Sequence, residues 1–411
     1  MASPSTQKRR KRAGTLEKIE SDRNHHLVGS LRPQTPLGGP PPMPSKRPQN
    51  KWSTESQGLW QDLKSLQWVV VPTSSLKMLL IVVMLWANWE LLSPFVAKGL
   101  SNPFSPLLFI SHRVPESPDS DPRYQKGYMD LVFIAYYIIF WSFVRQSITI
   151  YICRPVALWF GIKKETKLDR FGEQAYAVFY FTFTGVWGLF IMSQLPTWWY
   201  NTKYFWIDYP HWDMIPQLKR YYLMQAAYWL QQLIVLVLNL EKPRKDYNEL
   251  IAHHAVTLWL VGWSYLVNMT LIGNAVFVSM DIPDVFLAFS KLLNYIQWER
   301  AKIVSFVIFM FIWGYFRHYL NIVMLWSVLT EFDLMPESSK RWSIEEGVWM
   351  VSWMRYQIFI PILLLHFINI FWSFLILRIA VRAVTSETVT DVRSDDEDDG
   401  DDEPEKDEKE D

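Results

Sequence analysis

Four ionisable side chains stand inside two adjacent apolar segments: His253 and His254 in the first, Asp281 and Asp284 in the second. Charge at membrane depth is costly, so such groups there need partners or a chemical task. An imidazole beside a carboxylate serves as a general base, and it can attack a thioester as a nucleophile. The carboxylate fixes the imidazole tautomer and steadies the imidazolium. A turn centred near Thr270 puts His254 sixteen residues before it and Asp284 fourteen after it. At about 1.5 Å per helical residue, the two lie within roughly 3 Å of equal depth. Asp281 and Asp284, three apart, are expected to share a helix face. His253 and His254 diverge by about 100°, so both can face one cavity only from its two edges. Unequal roles for the two histidines follow. Pro283, between the aspartates, removes an intrahelical hydrogen bond and is expected to loosen or kink its helix. Broken helix at that depth is tolerated where it lines a cavity.

Two other readings compete for these residues. Polar side chains in apolar spans often hold helices together by buried hydrogen bonds. The ligand types His, His, Asp, Asp also suit zinc or iron. Adjacent histidines on one helix cannot easily chelate a single ion, unlike an i, i+4 pair. Of the eight histidines, His25, His26, His112 and His211 fall in tails or loops. No serine or cysteine stands in an elbow motif, and Cys153 is the sole cysteine. Acyl transfer is then the chemistry left, by direct attack of an activated amine or through a transient acyl-imidazole. The covalent route through His253 is preferred, with His254, Asp281 and Asp284 orienting groups and moving protons. Arg317, His318 and Arg145 are read first as structural partners, with Arg317 and His318 also candidates for substrate binding. Lys291 can snorkel towards an interface, and His366 reads as a packing residue.

The elements that position these residues are membrane helices. Half the chain is hydrophobic and aromatics reach 16%, with 22 tryptophans. That load fits a polytopic protein with aromatic belts and excludes an ordinary soluble domain. Continuous apolar runs lack the alternation of barrel strands, so the fold class is all-α, a polytopic membrane helical bundle. Eight segments can each cross a hydrocarbon core: 76–96, 128–152, 173–195, 218–240, 250–270, 273–295, 303–329 and 348–378. The stretch 52–71, with Trp52, Trp60 and Trp68 among charges, reads as an interfacial helix. Residues 1–51 hold eleven Lys/Arg against three acids, and 386–411 hold fifteen acids against three bases. Such blocks are solvated, disordered tails. The division is a basic segment 1–75, two spans in 76–172, a domain at 173–385 and the acidic tail 386–411. An even span count puts both tails on one side, and the basic cluster Lys8–Arg12 makes that side cytosolic.

The text from Glu241 to Tyr295 adds a specific signal. Arg244, Lys245, Asp246, Tyr247, Glu249, His253, His254, Thr257, Ser264, Tyr265, Asn268, Gly273, Asp281, Asp284, Lys291, Asn294 and Tyr295 resemble the Lag motif of the ceramide synthases. These form the longevity-assurance branch of the TLC-domain family. The resemblance covers about 128–385 and implies transfer of a fatty acyl group from acyl-CoA to the amine of a sphingoid base. It implies an endoplasmic reticulum membrane protein with no metal and no redox cofactor, and no nucleic-acid partner. Six spans, here the third to eighth, would form the TLC core. His253, His254, Asp281 and Asp284 would be catalytic, and Arg244 and Lys245 could attract coenzyme A phosphates. The region 97–127 lacks a homeobox-like insert, which together with the acidic tail resembles the fungal type. That type implies a small single-span accessory subunit, homo- or hetero-dimers, and very-long-chain acyl groups. In the family the acyl chain lies inside the bundle, and the last lumenal loop, here Glu331–Gly347, is linked to chain length.

Ser394, in Ser394-Asp395-Asp396-Glu397, fits an acidophilic kinase site. The rival class is a non-catalytic TLC-domain scaffold or lipid sensor, whose members generally lack the paired histidines with D-x-x-D. An elongase would need a histidine where Leu250 and Ile251 stand, and a membrane O-acyltransferase fits less well.

Overall fold

The computed structural model describes residues 56–385, apart from 97, 239, 241–246 and 344. The basic N-terminal segment, Arg244, Lys245 and the acidic tail with Ser394 lie outside the described residues. Among the described residues there are helices and three isolated bridges, Arg113–Tyr124, Tyr124–Met214 and Ser343–Val348. The all-α expectation holds.

Eight long helices form at the expected places. They are α1 (Pro72–Val96), α2 (Met129–Trp159), α3 (Glu165–Ser193), α4 (Pro216–Val237), α5 (Tyr247–Leu266), α6 (Thr270–Tyr295), α7 (Glu299–Thr330) and α8 (Met354–Thr385). Six of them are long and apolar enough to cross a membrane: α1, α2, α3, α6, α7 and α8. The other two, α4 and α5, have 22 and 20 residues and are more polar. Their polar groups point inward: Lys219, Gln225 and Gln231 on α4 and both histidines on α5 are buried. These two helices are polar because they line the interior. The expected division at 172/173 falls inside α3, which starts at Glu165. The last helix starts at Met354 rather than 348, because 331–353 form short 3-10 turns and a bridge.

The expected interfacial helix is shorter than 52–71. Among its described residues, 56–71, α-helix covers Leu59–Lys64, Leu66 turns back with φ 57, and a 3-10 turn follows at Gln67–Val69. The break falls at Leu66 in the left-handed region, and Pro72 opens the next helix at its first position, where a missing N–H costs nothing. Trp60 is 69% exposed, but Trp68 and Val69 are buried and pack with Met78 and Val235.

The bundle has a short-loop end and a long-loop end. At the first, Ala157, Ile162, Leu168 and Phe171 pack with Leu292, Tyr295 and Ile296. At the second, the long connections tie to each other. Tyr124 and Met214 exchange backbone hydrogen bonds, Tyr209 Oη donates to the Val267 carbonyl at 2.7 Å, and Ser339 Oγ donates to the Tyr209 carbonyl at 2.8 Å. The turn between α5 and α6 lies there, at Val267–Met269, with Asn268 at φ 60. The interior helix is α6, packed along α3. Gly188 permits that approach, since a Cβ there would stand 2.7 Å from Tyr221 Oη and 2.8 Å from Val278 Cγ2.

Candidate active site

Both histidines, Asp284 and Arg317 open onto one cavity of about 270 Å³ between α2, α3, α4, α5, α6, α7 and α8. Each arrives by its own helix register. On α6 the lining positions Asp284, Leu287, Ala288 and Lys291 repeat at i, i+3, i+4 and i+7, one face of a helix. The cavity is polar towards the short-loop end, where Arg145, Gln146, Glu173, Gln174, Gln232 and Lys291 line it.

The two histidine rings and Trp229 form a near-equilateral triangle at the cavity wall, with the imidazole centroids 5.8 Å apart and edge to face. That indole lies edge-on to His253 at 5.6 Å and to His254 at 5.8 Å. Trp372 of α8 closes on His253 from the other side at 5.3 Å. His254 Nδ1 lies 2.9 Å from the Leu250 carbonyl. A carbonyl only accepts, so in the neutral ring Nδ1 carries the hydrogen and Nε2 the lone pair. His253 Nδ1 has no hydrogen-bond partner among the described residues. The spacing placed the rings at opposite edges of one cavity; the structure brings them edge to face with each other, and Trp229 packs against both.

The aspartates separate more than their spacing suggested. Asp284 lines the cavity and pairs with Arg317 Nη2 at 2.7 Å. Asp281 is fully buried outside the cavity lining, and its Oδ2 accepts from Gln225 Nε2 at 2.7 Å. The amide is fixed in that sense because Tyr180 Oη donates to Gln225 Oε1 at 2.5 Å. Three residues turn the helix by about 300°, and the 60° shortfall is enough to give the carboxylates different neighbours. Helix α6 also runs unbroken through Pro283. A proline removes the hydrogen bond to the carbonyl four residues back and loosens the turn around it. Here Arg317 Nη2 donates to the Met280 carbonyl in that turn, at 2.9 Å.

Arg317 and His318 part company although adjacent. Both lie in a π-helical turn, Gly314–Tyr319, inside α7, a feature frequent at functional sites. Arg317 is buried, lies over Trp313 at 4.8 Å and reaches Asn369 Oδ1 at 3.1 Å. His318 Nε2 instead meets Ser373 Oγ at 2.6 Å beside the His366 ring, outside the cavity lining. Sequence reasoning missed Trp229, Trp372, Gln225 and Asn369. The glutamines of α4 were a usable signal, being polar groups in an apolar segment; the tryptophans, among 22, were not. Among the described residues no three His, Cys, Asp or Glu side chains gather closely enough to hold a metal ion.

A second, narrower space also borders His253. It holds about 50 Å³ and is walled by Thr257, Val261, Ile272, Val276, Ile358 and Ile362, ending near Val267 and Met269. From His253 to Val267 is fourteen residues of α5 and its turn, about 21 Å at helical rise. Gly273 borders this slot, and a Cβ there would collide with Tyr222. The site therefore comprises a polar chamber and an apolar slot, with His253 and Trp229 in the wall of both. Such an arrangement can hold a polar reacting group beside the imidazoles and an alkyl chain beyond them.

Comparison with known proteins gives the same direction. Residues 170–378 match the TLC domain family. The chain is 40% identical to sphingosine N-acyltransferase lac1 of Schizosaccharomyces pombe over 320 residues, 77% of this chain and 80% of that protein. It is 39% identical to ceramide synthase LAG1 of Saccharomyces cerevisiae over 304 residues, 72% of this chain and 70% of that protein. Ceramide synthase hyl-1 of Caenorhabditis elegans is 29% identical over 254 residues, 61% of this chain and 67% of that protein.

Proposed function

The chain belongs to the TLC-domain family, in its fungal ceramide synthase branch, and from this we propose that it is an acyl-CoA-dependent sphingoid base N-acyltransferase. The observation that carries the reading is His253 in the wall of both the polar chamber and the apolar slot. The fatty chain lies in the slot, which sets the thioester carbonyl beside the imidazoles. His253 attacks that carbonyl, the C–S bond breaks, and coenzyme A leaves as its thiol. The sphingoid amine then attacks the acyl-imidazole, forming the amide C–N bond and restoring His253. His254 Nε2 takes the ammonium proton, and the Asp284 carboxylate steadies the imidazolium. Thioester and amine become amide and thiol, so the reaction balances without a redox partner. Asp281 supports the α6 turn through Gln225 and touches neither substrate. Arg244 and Lys245, by their charge, attract the coenzyme A phosphates, and the short-loop end of the bundle faces the cytosol from the endoplasmic reticulum membrane. A small single-span subunit and a second synthase copy are the partners expected in the membrane.

The test is N-acylation by purified protein, given sphinganine and a ladder of saturated acyl-CoAs from long to very long. Ceramide from wild type, absent with His253→Ala and strongly reduced with Asp284→Asn, supports the reading, and the ladder gives chain length. Intact-protein mass spectrometry with acyl-CoA alone tests the covalent step, which requires an acyl adduct lost in His253→Ala. No ceramide with any donor, with the accessory subunit supplied, would favour a non-catalytic scaffold.

A further inference from the structure

Arg317 has no part in the reaction just described, yet it is committed in several directions at once. Its Nη2 donates to Asp284 Oδ1 at 2.7 Å and to the Met280 carbonyl at 2.9 Å. Its Nη1 donates to Asn369 Oδ1 at 3.1 Å and lies 2.9 Å from Met280 Sδ. Its Nε is buried without a partner, and the side chain is 3% exposed. A group that binds substrate needs an accessible donor, and both terminal nitrogens here are already spent on protein. Met280 and Asp284 are one turn apart on either side of Pro283. The guanidinium therefore bridges the turn that the proline has loosened. A planar fork with fixed donors suits this task, and an ammonium, a single compact charge, does not. The π turn supplies the register, since hydrogen bonds from i to i+5 rotate the following side chains about the helix axis. Asn369 ties the other arm of the fork to α8, so three helices share the fastening.

We infer that Arg317 is a positioning residue of the acyl transfer. It holds the Asp284 carboxylate at the histidine chamber across the Pro283 turn and binds neither substrate. With Oδ1 taken by Arg317, Oδ2 is the oxygen left to meet an imidazolium. This assignment rests on the N-acyltransferase reading, because it needs Asp284 to work in the reaction.

The experiment compares Arg317→Lys, Asn369→Ala, Asp284→Asn and the Arg317→Lys/Asp284→Asn double variant in sphinganine N-acylation. The readouts are kcat, KM for each substrate and the thermal unfolding midpoint. Arg317→Lys should lower kcat by about tenfold or more with both KM values within about twofold. Asn369→Ala should lower kcat by about two- to fivefold with the same pattern. Adding Arg317→Lys to Asp284→Asn should cost nothing further, because the two act through one contact. A raised KM with kcat intact would make Arg317 a substrate-binding group and overturn the assignment, as would a multiplicative loss in the double variant. If Arg317→Lys does not fold, Asn369→Ala decides, and an unchanged kcat there sinks the idea. Wild-type protein that makes no ceramide with the accessory subunit supplied overturns both this and the parent reading; an active wild type with either adverse pattern overturns this assignment alone.

Discussion

Two buried ion pairs, one near the long loops and one at mid-depth, are built in opposite ways. Near the long loops, Lys219 Nζ meets Asp130 Oδ1 at 2.8 Å, with side chains 0% and 4% exposed. The ammonium also donates to the carbonyls of Ser111 and Gln125 at 2.8 and 2.6 Å. Asp130 Oδ2 accepts from Tyr265 Oη at 2.7 Å and from the Gly127 N–H at 2.8 Å. The pair ties the loop at Ser111 and Gln125 onto α4, and Tyr265 ties Asp130 to α5. In the other pair Arg317 is equally buried, but Asp284 is 23% exposed and faces the cavity. Burying a charge is justified energetically only when its partners are complete. The Lys219 pair, with two carbonyls on the ammonium and two donors on Asp130 Oδ2, lies wholly within the protein and serves as a fastener. The Asp284 carboxylate leaves one side open, where a reaction can use it.

That contrast is tested first by separating activity from stability. His253→Ala should lower kcat/KM by about a thousandfold or more, since it removes the reacting nitrogen. Its unfolding midpoint should stay near wild type, as the ring is held by aromatic edges alone. Detergent-solubilised protein with normal activity would end the nucleophile assignment. Lys219→Met should do the reverse. Removing one partner strands Asp130, at a cost of about 3–5 kcal/mol, visible as a lowered thermal midpoint. Activity per folded molecule should be unchanged, and Lys219→Met/Asp130→Leu should recover part of the stability. If the single variant folds normally yet makes no ceramide, the long-loop pair is not a mere fastener. Gly273→Ala sits between the two regions. Its methyl collides with Tyr222, whose hydroxyl is bonded to Ser264, so a cost of about 1–3 kcal/mol is expected from overpacking. Because Gly273 borders the slot, the acyl-CoA ladder should shift towards shorter chains; an unshifted ladder would detach the slot from the fatty chain.

Much of this was legible in the chain. The apolar runs gave the eight helices, and the hairpin count gave the common depth of the histidines and Asp284. What escaped depends on partners remote in sequence. Nothing local says that Asp281 turns to Gln225, 56 residues away, while Asp284 turns to Arg317, 33 residues away. Proline chemistry forecast a loosened helix at 283, and the arginine that repairs it arrives from α7. The π turn was equally hidden, because one extra residue per turn leaves no compositional trace. The break at Leu66 was hidden too, since nothing in the residue type signals a left-handed turn there.

The smallest effect expected is also the sharpest on register. His318 is the immediate neighbour of Arg317, and its type alone would place it among the catalytic candidates. The structure turns it to Ser373 and His366, away from the cavity. His318→Asn keeps a side-chain donor for the Ser373 hydroxyl at similar reach and should change ceramide formation by less than about twofold, as surface-like polar replacements do. Its unfolding midpoint should move by about a degree or two at most. The comparison with Arg317→Lys, one residue earlier, then isolates what the π turn achieves: two adjacent polar groups, one aimed at Asp284 and one at α8. A tenfold loss of activity in His318→Asn would show that the Ser373–His366 cluster feeds the chamber, and the boundary drawn at Trp372 would have to move outward.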